Sequence, residues 1–352
     1  MVFDASDHRD HEQVTYFSDE ETGLQTIVAL HDTTLGPGLG GTRMLDYETE
    51  QAALTDVLRL SYAMTYKAAA ADLDLGGGKA VIVGDPEIKD KELLQAYGRA
   101  VDRLGGRYIT SVDVNTSVAD MDVIAGETEY VTGTSGGLGD PSPVTAHGVF
   151  HGMDACVEYV YGRDTLSDLH VVVQGVGKVG AALTTKLVER GTKVTIADPN
   201  DDVVADFVEE YGVESVPPEA VYDVSCDVFA PCAMGGALND DTISRLDCDI
   251  VAGAANNILA DETRHAKALD NREIVYAPDY VLNAGGLITV AKEHLGGTRE
   301  TSFEESEEIG DRLLTMLERA EDEDTTVLEA ARRYVEDRLN AESQQTMTAS
   351  NN

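Results

Sequence analysis

Two kinds of apolar run divide the chain. Up to about residue 140, TIVALHD (26 to 32) and AVIVGD (80 to 85) read as strands, while KELLQAYGRAVDRL sets Leu93, Leu94, Tyr97, Val101 and Leu104 at helical spacing. The turn-rich segment GTSGGLGDPSP (133 to 143) marks a boundary or hinge. Beyond it a helical stretch, TAHGVFHGMDACVEYVYG, leads into continuous β-branched runs separated by helices. These runs are HVVVQ (170 to 174), KVTIAD (193 to 198), DVFAP (227 to 231), DIVAGA (249 to 254) and EIVYAPD (273 to 279). Such runs predict a parallel sheet covered on both faces. Residues 303 to 340 read as two charged helices, and ESQQTMTASNN as a polar, mobile tail. The expected fold class is α/β in two domains, 1–140 and 145–325, with a helix at about 325–340 returning to the first.

Composition narrows the function. The chain has 352 residues, 26 basic against 65 acidic, for a net charge of −39. A surface that must neutralise phosphates needs cations, so no nucleic-acid partner and no anionic membrane partner is expected. Hydrophobic residues at 42% argue against a disordered acidic polymer. Trp is absent, and Lys is scarce beside Arg. Ordinary solubility is the plainer explanation; the one preferred is an exterior suited to high salt, where screening removes most self-repulsion. Cys156, Cys226, Cys232 and Cys248 form no CxxC pair and stand beside no spaced His pair, so no metal and no disulfide framework is expected. No apolar run is long enough to span a membrane and no signal peptide is visible, which predicts a soluble cytoplasmic protein.

After HVVVQ stands Gly175-Val176-Gly177-Lys178-Val179-Gly180, a GxGxxG between strand and helix. Its glycines suit a tight turn, close approach of a pyrophosphate and close helix–strand packing. The next strand ends in Asp198, which can accept from both ribose hydroxyls and repels a 2′-phosphate. NAD is therefore expected over NADP in a Rossmann domain, although Asp198 also suits a turn or helix start.

Two lysines lie in unusual surroundings. Lys67 sits in MTYKAAAA, and Lys79 follows three glycines in LDLGGGK. Lys79 can act as a base if burial and a second cation lower its pKa, and Lys67 is the candidate for that cation and for clamping a substrate carboxylate. Two satisfied structural lysines are the alternative. Asp113, after the apolar run in RYITSVDVN, offers a carboxylate partner, or simply a turn or cap.

The segments GPGLGGTRM, MTYKAAAADLDLGGGKAVIVGDP, GRYITSVDVNT, PSPVTAHGV, VVQGVGKVG, DVFAPCAMGGALN, IVAGAANNIL and YAPDYVLNAGGLI closely resemble, in order, the leucine dehydrogenase branch of the Glu/Leu/Phe/Val dehydrogenase family. The resemblance implies an N-terminal substrate and assembly domain, a C-terminal NAD domain, and reversible NAD-dependent oxidative deamination of an L-amino acid to a 2-oxo acid and ammonia by a homo-oligomer. It makes Lys79 the catalytic lysine, Lys67 the carboxylate-binding lysine and Asp113 the proton shuttle. Thr145 and Asn256 fall near nicotinamide and substrate, with Ala233 and Asn283 on the cofactor side and Gly40 and Met64 on the substrate side.

In the glutamate branch a lysine and a serine meet the side-chain carboxylate; Leu39 and Val290 match those positions here. Burying an unpaired carboxylate costs several kcal/mol, so an apolar pocket of Leu39, Ser111, Leu287 and Val290 is expected. Branched aliphatic substrates are favoured, leucine first, with valine and isoleucine behind. The alternatives are a glutamate or phenylalanine dehydrogenase, a non-catalytic nucleotide sensor, and, on charge alone, an acidic mimic that captures basic proteins. The charge also predicts that activity and folding require molar salt: unfolding midpoints should rise steeply with KCl, and full stability in dilute buffer would refute the high-salt reading.

Overall fold

The computed structural model describes residues 10–163 and 165–350. The chain divides into two units: Met1–Gly139 with Thr289–Arg299 and Val335–Asn352, and Asp140–Ile288 with Glu300–Tyr334.

The first unit is built on a five-stranded sheet of β1 (Gln13–Asp19), β2 (Leu24–Leu30), β3 (Gly38–Leu45), β4 (Gly76–Val83) and β5 (Tyr108–Val112), in the order β1-β2-β4-β3-β5. β2 runs antiparallel to β1 and β4, whereas β3 is parallel to both β4 and β5. Register and the period of two sort the side chains. Leu39, Gly41 and Arg43 share one face with Gly77, Lys79 and Val81 and with Ile109, Ser111 and Asp113. Helix α1 (Glu50–Ala70) covers this side, packing Ala53, Leu54, Val57 and Leu58 on Ile27, Ala29 and Val81. The opposite face holds Met44, Ala80, Ile82 and Tyr108 against α2 (Lys91–Asp102) and α3 (Val118–Ile124). The helical spacing expected for α2 is realised: Leu93, Leu94, Tyr97 and Val101 are buried in that core and Leu104 packs against it. Asp90 starts the helix by accepting from the Leu93 amide at 2.8 Å.

The second unit carries a six-stranded sheet of β6 (His170–Gln174), β7 (Lys193–Ala197), β8 (Glu214–Ser215), β9 (Val228–Pro231), β10 (Ile250–Val251) and β11 (Val275–Tyr276). All its pairings are parallel, in the order β11-β10-β9-β6-β7-β8. The order changes direction at β6, which lies between β7 and β9, so the loop after β6 opens at the switch point where such sheets bind ligands. The connecting helices are α4 (Ser142–Tyr161), α5 (Lys178–Glu189), α6 (Asp201–Tyr211), α7 (Asp240–Arg245), α8 (Glu262–Asp270) and α9 (Asp279–Leu282). α10 (Gly285–His294), α11 (Arg299–Glu307), α12 (Ile309–Asp322) and α13 (Val327–Ser350) complete the chain. Among the described residues no helix is long and apolar enough to cross a membrane.

Three expectations change. Residues 289–299 fall inside the stretch expected to belong wholly to the second domain, yet they join the first unit. There the Glu293 carboxylate accepts from the amides of Gly133 (2.8 Å) and Leu138 (3.2 Å), and Arg299 donates to the Leu138 carbonyl at 2.8 Å. The C-terminal segment holds three helices instead of two, and the supposed mobile tail continues α13 to Ser350, with residues 351–352 outside the described ones. No Gly or Pro interrupts VLEAARRYVEDRLNAESQQTMTAS, so nothing stops the helix. Its later part belongs to the first unit, where Arg338 pairs with Asp72 (3.0 Å) and Asp74 (3.2 Å).

Gly77 is where α1 touches the sheet: a Cβ there would collide with Thr65 Oγ1 and with the helix backbone at Ser61 and Thr65. Gly77→Ala should lower stability by at least about 2 kcal/mol in urea unfolding, whereas Gly136→Ala, whose Cβ meets open space, should be neutral or slightly stabilising.

Candidate functional site

On the α1 side of the first sheet, Lys79 is only 7% exposed. Its Nζ forms an ion pair with Oδ2 of Asp113, just past the end of β5. Arg43 Nε reaches the same oxygen at 3.3 Å, and Arg43 Nη1 reaches Asp56 Oδ2 at 2.9 Å. Tyr47 Oη donates to that Asp56 oxygen at 2.7 Å. The Asp113 amide donates to Thr116 Oγ1 at 2.8 Å, which fixes the strand exit. Gly41 leaves the room: a Cβ there would lie 2.8 Å from Asp113 Cβ and 2.5 Å from the Val112 carbonyl oxygen.

The electrostatics make Lys79 the labile member. Burial pushes its amine below the usual lysine range and the Arg43 cation adds to this, although Asp113 pulls the other way. Burial alone would raise the Asp113 carboxyl, but Lys79 and Arg43 outweigh it and hold the group below its ordinary value. Burial works against the Arg43 charge too; Asp113 and Asp56 more than restore it, so the guanidinium stays charged. Burial, then the bond to Asp56, raises the Tyr47 phenol and keeps it protonated. A cation, an anion and a removable proton thus lie within hydrogen-bonding reach.

Arg43, Asp56 and Tyr47 were missed as site residues from sequence. Arg43, two positions beyond Gly41 on the same strand face, is a cation that lowers the Lys79 amine. That alternation after GLGG was the available signal. Lys67 itself lies half-buried in the last turn of α1, with Met64 one turn earlier.

Leu39 and Ser111 are buried on the Lys79 face, at 1% and 5% exposure. Gly40 faces the other side: its Cβ would collide with the Gly78 carbonyl, and its own carbonyl accepts from Tyr108 Oη at 2.7 Å. Val290, half-buried on α10, belongs to the first unit, while Leu287, buried one turn earlier, belongs to the second.

In the second unit the loop after β6 fits a dinucleotide. Gly175 has φ +95° and closes on Ala233, whose Cβ would lie 2.7 Å from an added Cβ. Gly177 starts α5 with no side-chain cap and with open space at its Cβ position, leaving amides for an anion. Gly180 packs where a Cβ would strike the Gly175 carbonyl. Val176 is buried, Val179 partly so, and Lys178 is exposed, 3.6 Å from Asp140. Asp198 is held at the loop, accepting from the Val176 amide at 2.8 Å and the Asn200 amide at 2.9 Å. Asn283 donates to the Ala254 carbonyl (3.1 Å) and to Asn256 Oδ1 (2.9 Å), whereas its own Oδ1 is buried with no partner in the structure. Such an orphaned acceptor suits a carboxamide N–H. Thr145 is buried on α4, its Oγ1 3.3 Å from a Cβ added at Gly286.

Because Arg43 depresses the Lys79 pKa, Arg43→Gln should move deprotonation of that amine to higher pH, as read by competitive amine labelling and mass spectrometry across pH. With the folded pKa below the unfolded one, the unfolded chain binds the extra proton between them, so the Lys79 contribution to stability grows as pH rises through that window.

Comparison with known proteins gives two family matches. Residues 11–130 match the Glu/Leu/Phe/Val dehydrogenase dimerisation domain, and residues 195–350 match the Glutamate/Leucine/Phenylalanine/Valine dehydrogenase domain. Leucine dehydrogenase of Thermoactinomyces intermedius is 49% identical over 342 residues, covering 96% of this chain and 93% of that protein. L-tryptophan dehydrogenase of Nostoc punctiforme is 46% identical over 341 residues, covering 97% and 96%. A crystal structure of L-tryptophan dehydrogenase from Nostoc punctiforme superposes with a TM-score of 0.89 at 43% identity, covering 97% of this chain and 100% of that one.

Proposed function

The chain belongs to the Glu/Leu/Phe/Val dehydrogenase family, and on that premise we propose that it catalyses reversible NAD-dependent oxidative deamination of a branched-chain L-amino acid, leucine first, with valine and isoleucine behind. The observation that carries this reading is the buried Lys79, ion-paired with Asp113 beside the permanently charged Arg43, on a sheet face shared with Leu39 and Ser111.

When bound, NAD supplies the acceptor for the hydride of the substrate α-carbon. Gly175, Gly177 and Gly180 would shape its pyrophosphate cradle, Asp198 would take the ribose hydroxyls, Ala233 and Asn283 would hold the cofactor, and Thr145 and Asn256 would stand near the nicotinamide and substrate. Lys67 holds the α-carboxylate. Neutral Lys79 takes a proton from the water that adds to the imino carbon, and Asp113 relays protons as the carbinolamine releases ammonia. Leu39 and Val290 give a side-chain carboxylate no partner, which disfavours glutamate. The 46% identity to an L-tryptophan dehydrogenase keeps an aromatic amino acid as the second reading. The dimerisation-domain match supports a homo-oligomer, and the acidic composition supports a cytoplasm of high salt.

Initial rates with Leu, Val, Ile, Phe, Trp and Glu and NAD should rank the branched aliphatics first; fastest turnover of an aromatic substrate selects the second reading, and of Glu refutes the apolar pocket. Lys79→Ala should lower kcat by about 10²- to 10⁴-fold while leaving NAD binding intact. Asp198→Ala should narrow the preference for NAD over NADP by about tenfold or more.

A further inference from the structure

Away from the dinucleotide loop, α4 and α11 bring together three groups that the reaction does not use. His147 and His151 stand one turn apart on α4, and Glu307 ends α11; each offers a ligand atom, and these atoms lie within 4.8 Å of one another. His147 Nε2 is 3.0 Å from Glu307 Oε1, and the two imidazoles meet edge to face at 4.5 Å between centroids. We propose that His147, His151 and Glu307 form a binding site for a divalent first-row transition ion, with Zn²⁺ as its probe, that clamps α4 to α11.

Two imidazoles and one carboxylate are a donor set of borderline softness, suited to Zn²⁺, Co²⁺ or Ni²⁺ and poor for Mg²⁺ or Ca²⁺, which prefer all-oxygen shells. A tetrahedral ion with bonds of about 2.0 to 2.1 Å needs ligand atoms about 3.4 Å apart, a spacing that small side-chain rotations from the present arrangement supply. Without an ion, His147 Nε2–H donates to Glu307 and Nδ1 is buried with no hydrogen-bond partner in the structure; an ion would take Nε2, with the ring proton moving to Nδ1. Burial lowers both imidazole pKa values, helped at His151 by His147 and at both by the Lys186 charge, with Glu307 and, at His151, Asp154 opposing. The Glu307 and Asp154 carboxylates offset the Lys186 charge that would repel an ion. Three protein ligands leave at least one coordination position for water. Local sequence gives little sign of the site, because its carboxylate comes from a distant helix.

Isothermal titration of the full chain with ZnCl₂ should show one saturable site per chain, with no saturable heat from MgCl₂. His151→Gln and Glu307→Gln should each weaken Zn²⁺ binding by about tenfold or more. Zn²⁺ should raise the Tm of the unaltered chain and leave that of Glu307→Gln unmoved. Glu307 is 54% exposed on its side chain, so this variant should fold, as far-UV circular dichroism and metal-free turnover would check. Absence of saturable Zn²⁺ binding, or unchanged affinity in both variants, would overturn the proposal.

Discussion

Burying the amino group of Lys79 is the constraint that organises the first unit. A charged or chargeable group inside a sheet–helix sandwich is expensive without partners, and the partners follow in sequence: Asp113 for Lys79, Arg43 for Asp113, Asp56 for Arg43 and Tyr47 for Asp56. Asp56 lies on α1 and the rest come from the sheet and the segments at its strand ends, so the polar network joins the helix to the sheet it covers. The glycines around it have the same origin. Gly41 gives Asp113 its space and Gly77 lets α1 close over the sheet, so two strings that look flexible in sequence are sites of enforced close approach.

The second unit answers a different constraint, that of offering backbone amides to an anion. The reversal of strand order at β6 leaves a gap above that strand, and the uncapped start of α5 points its first N–H groups there. Asp198 bonds to the Val176 amide within the glycine loop, so the group expected to read the ribose also fixes the loop that cradles the phosphates. On that expectation, adenine-side selectivity and phosphate binding would share one element.

What could be read from sequence divides along physical lines. The α2 stripe, the β6, β7 and β9 runs and the glycine fingerprint were legible because local periodicity or a short motif specifies each, whereas Lys79 and Asp113 could be singled out but not paired. Arg43 and Asp56 were not, because their pairing depends on how α1 lies over β3, a tertiary relation with no local signature. β10 and β11 are shorter than the runs DIVAGA and EIVYAPD suggested, although amides beyond them keep bonding: Ala252 donates to the Phe229 carbonyl at 3.0 Å and Ala277 to the Val251 carbonyl at 3.0 Å. Apolar patterning finds a strand but not the residue at which it leaves the ladder. The return of residues 289–299 to the first unit was hidden because the unit boundary falls inside α10, where the helical pattern runs on without a break.

The charge of −39 acts on the exterior and the interior in different ways. In molar salt the Debye length falls to about 3 Å, so repulsion among exposed acids would be largely removed, while the close contacts of the mostly buried Lys79, Asp113, Arg43 and Asp56 cluster would be screened less. On the high-salt expectation, salt would govern folding with little retuning of the Lys79 amine. Separating the two electrostatic problems allows an exterior this acidic to coexist with a site that needs a low-pKa lysine: a field of acids acting unscreened on Lys79 would favour its charged form and work against the burial that lowers it.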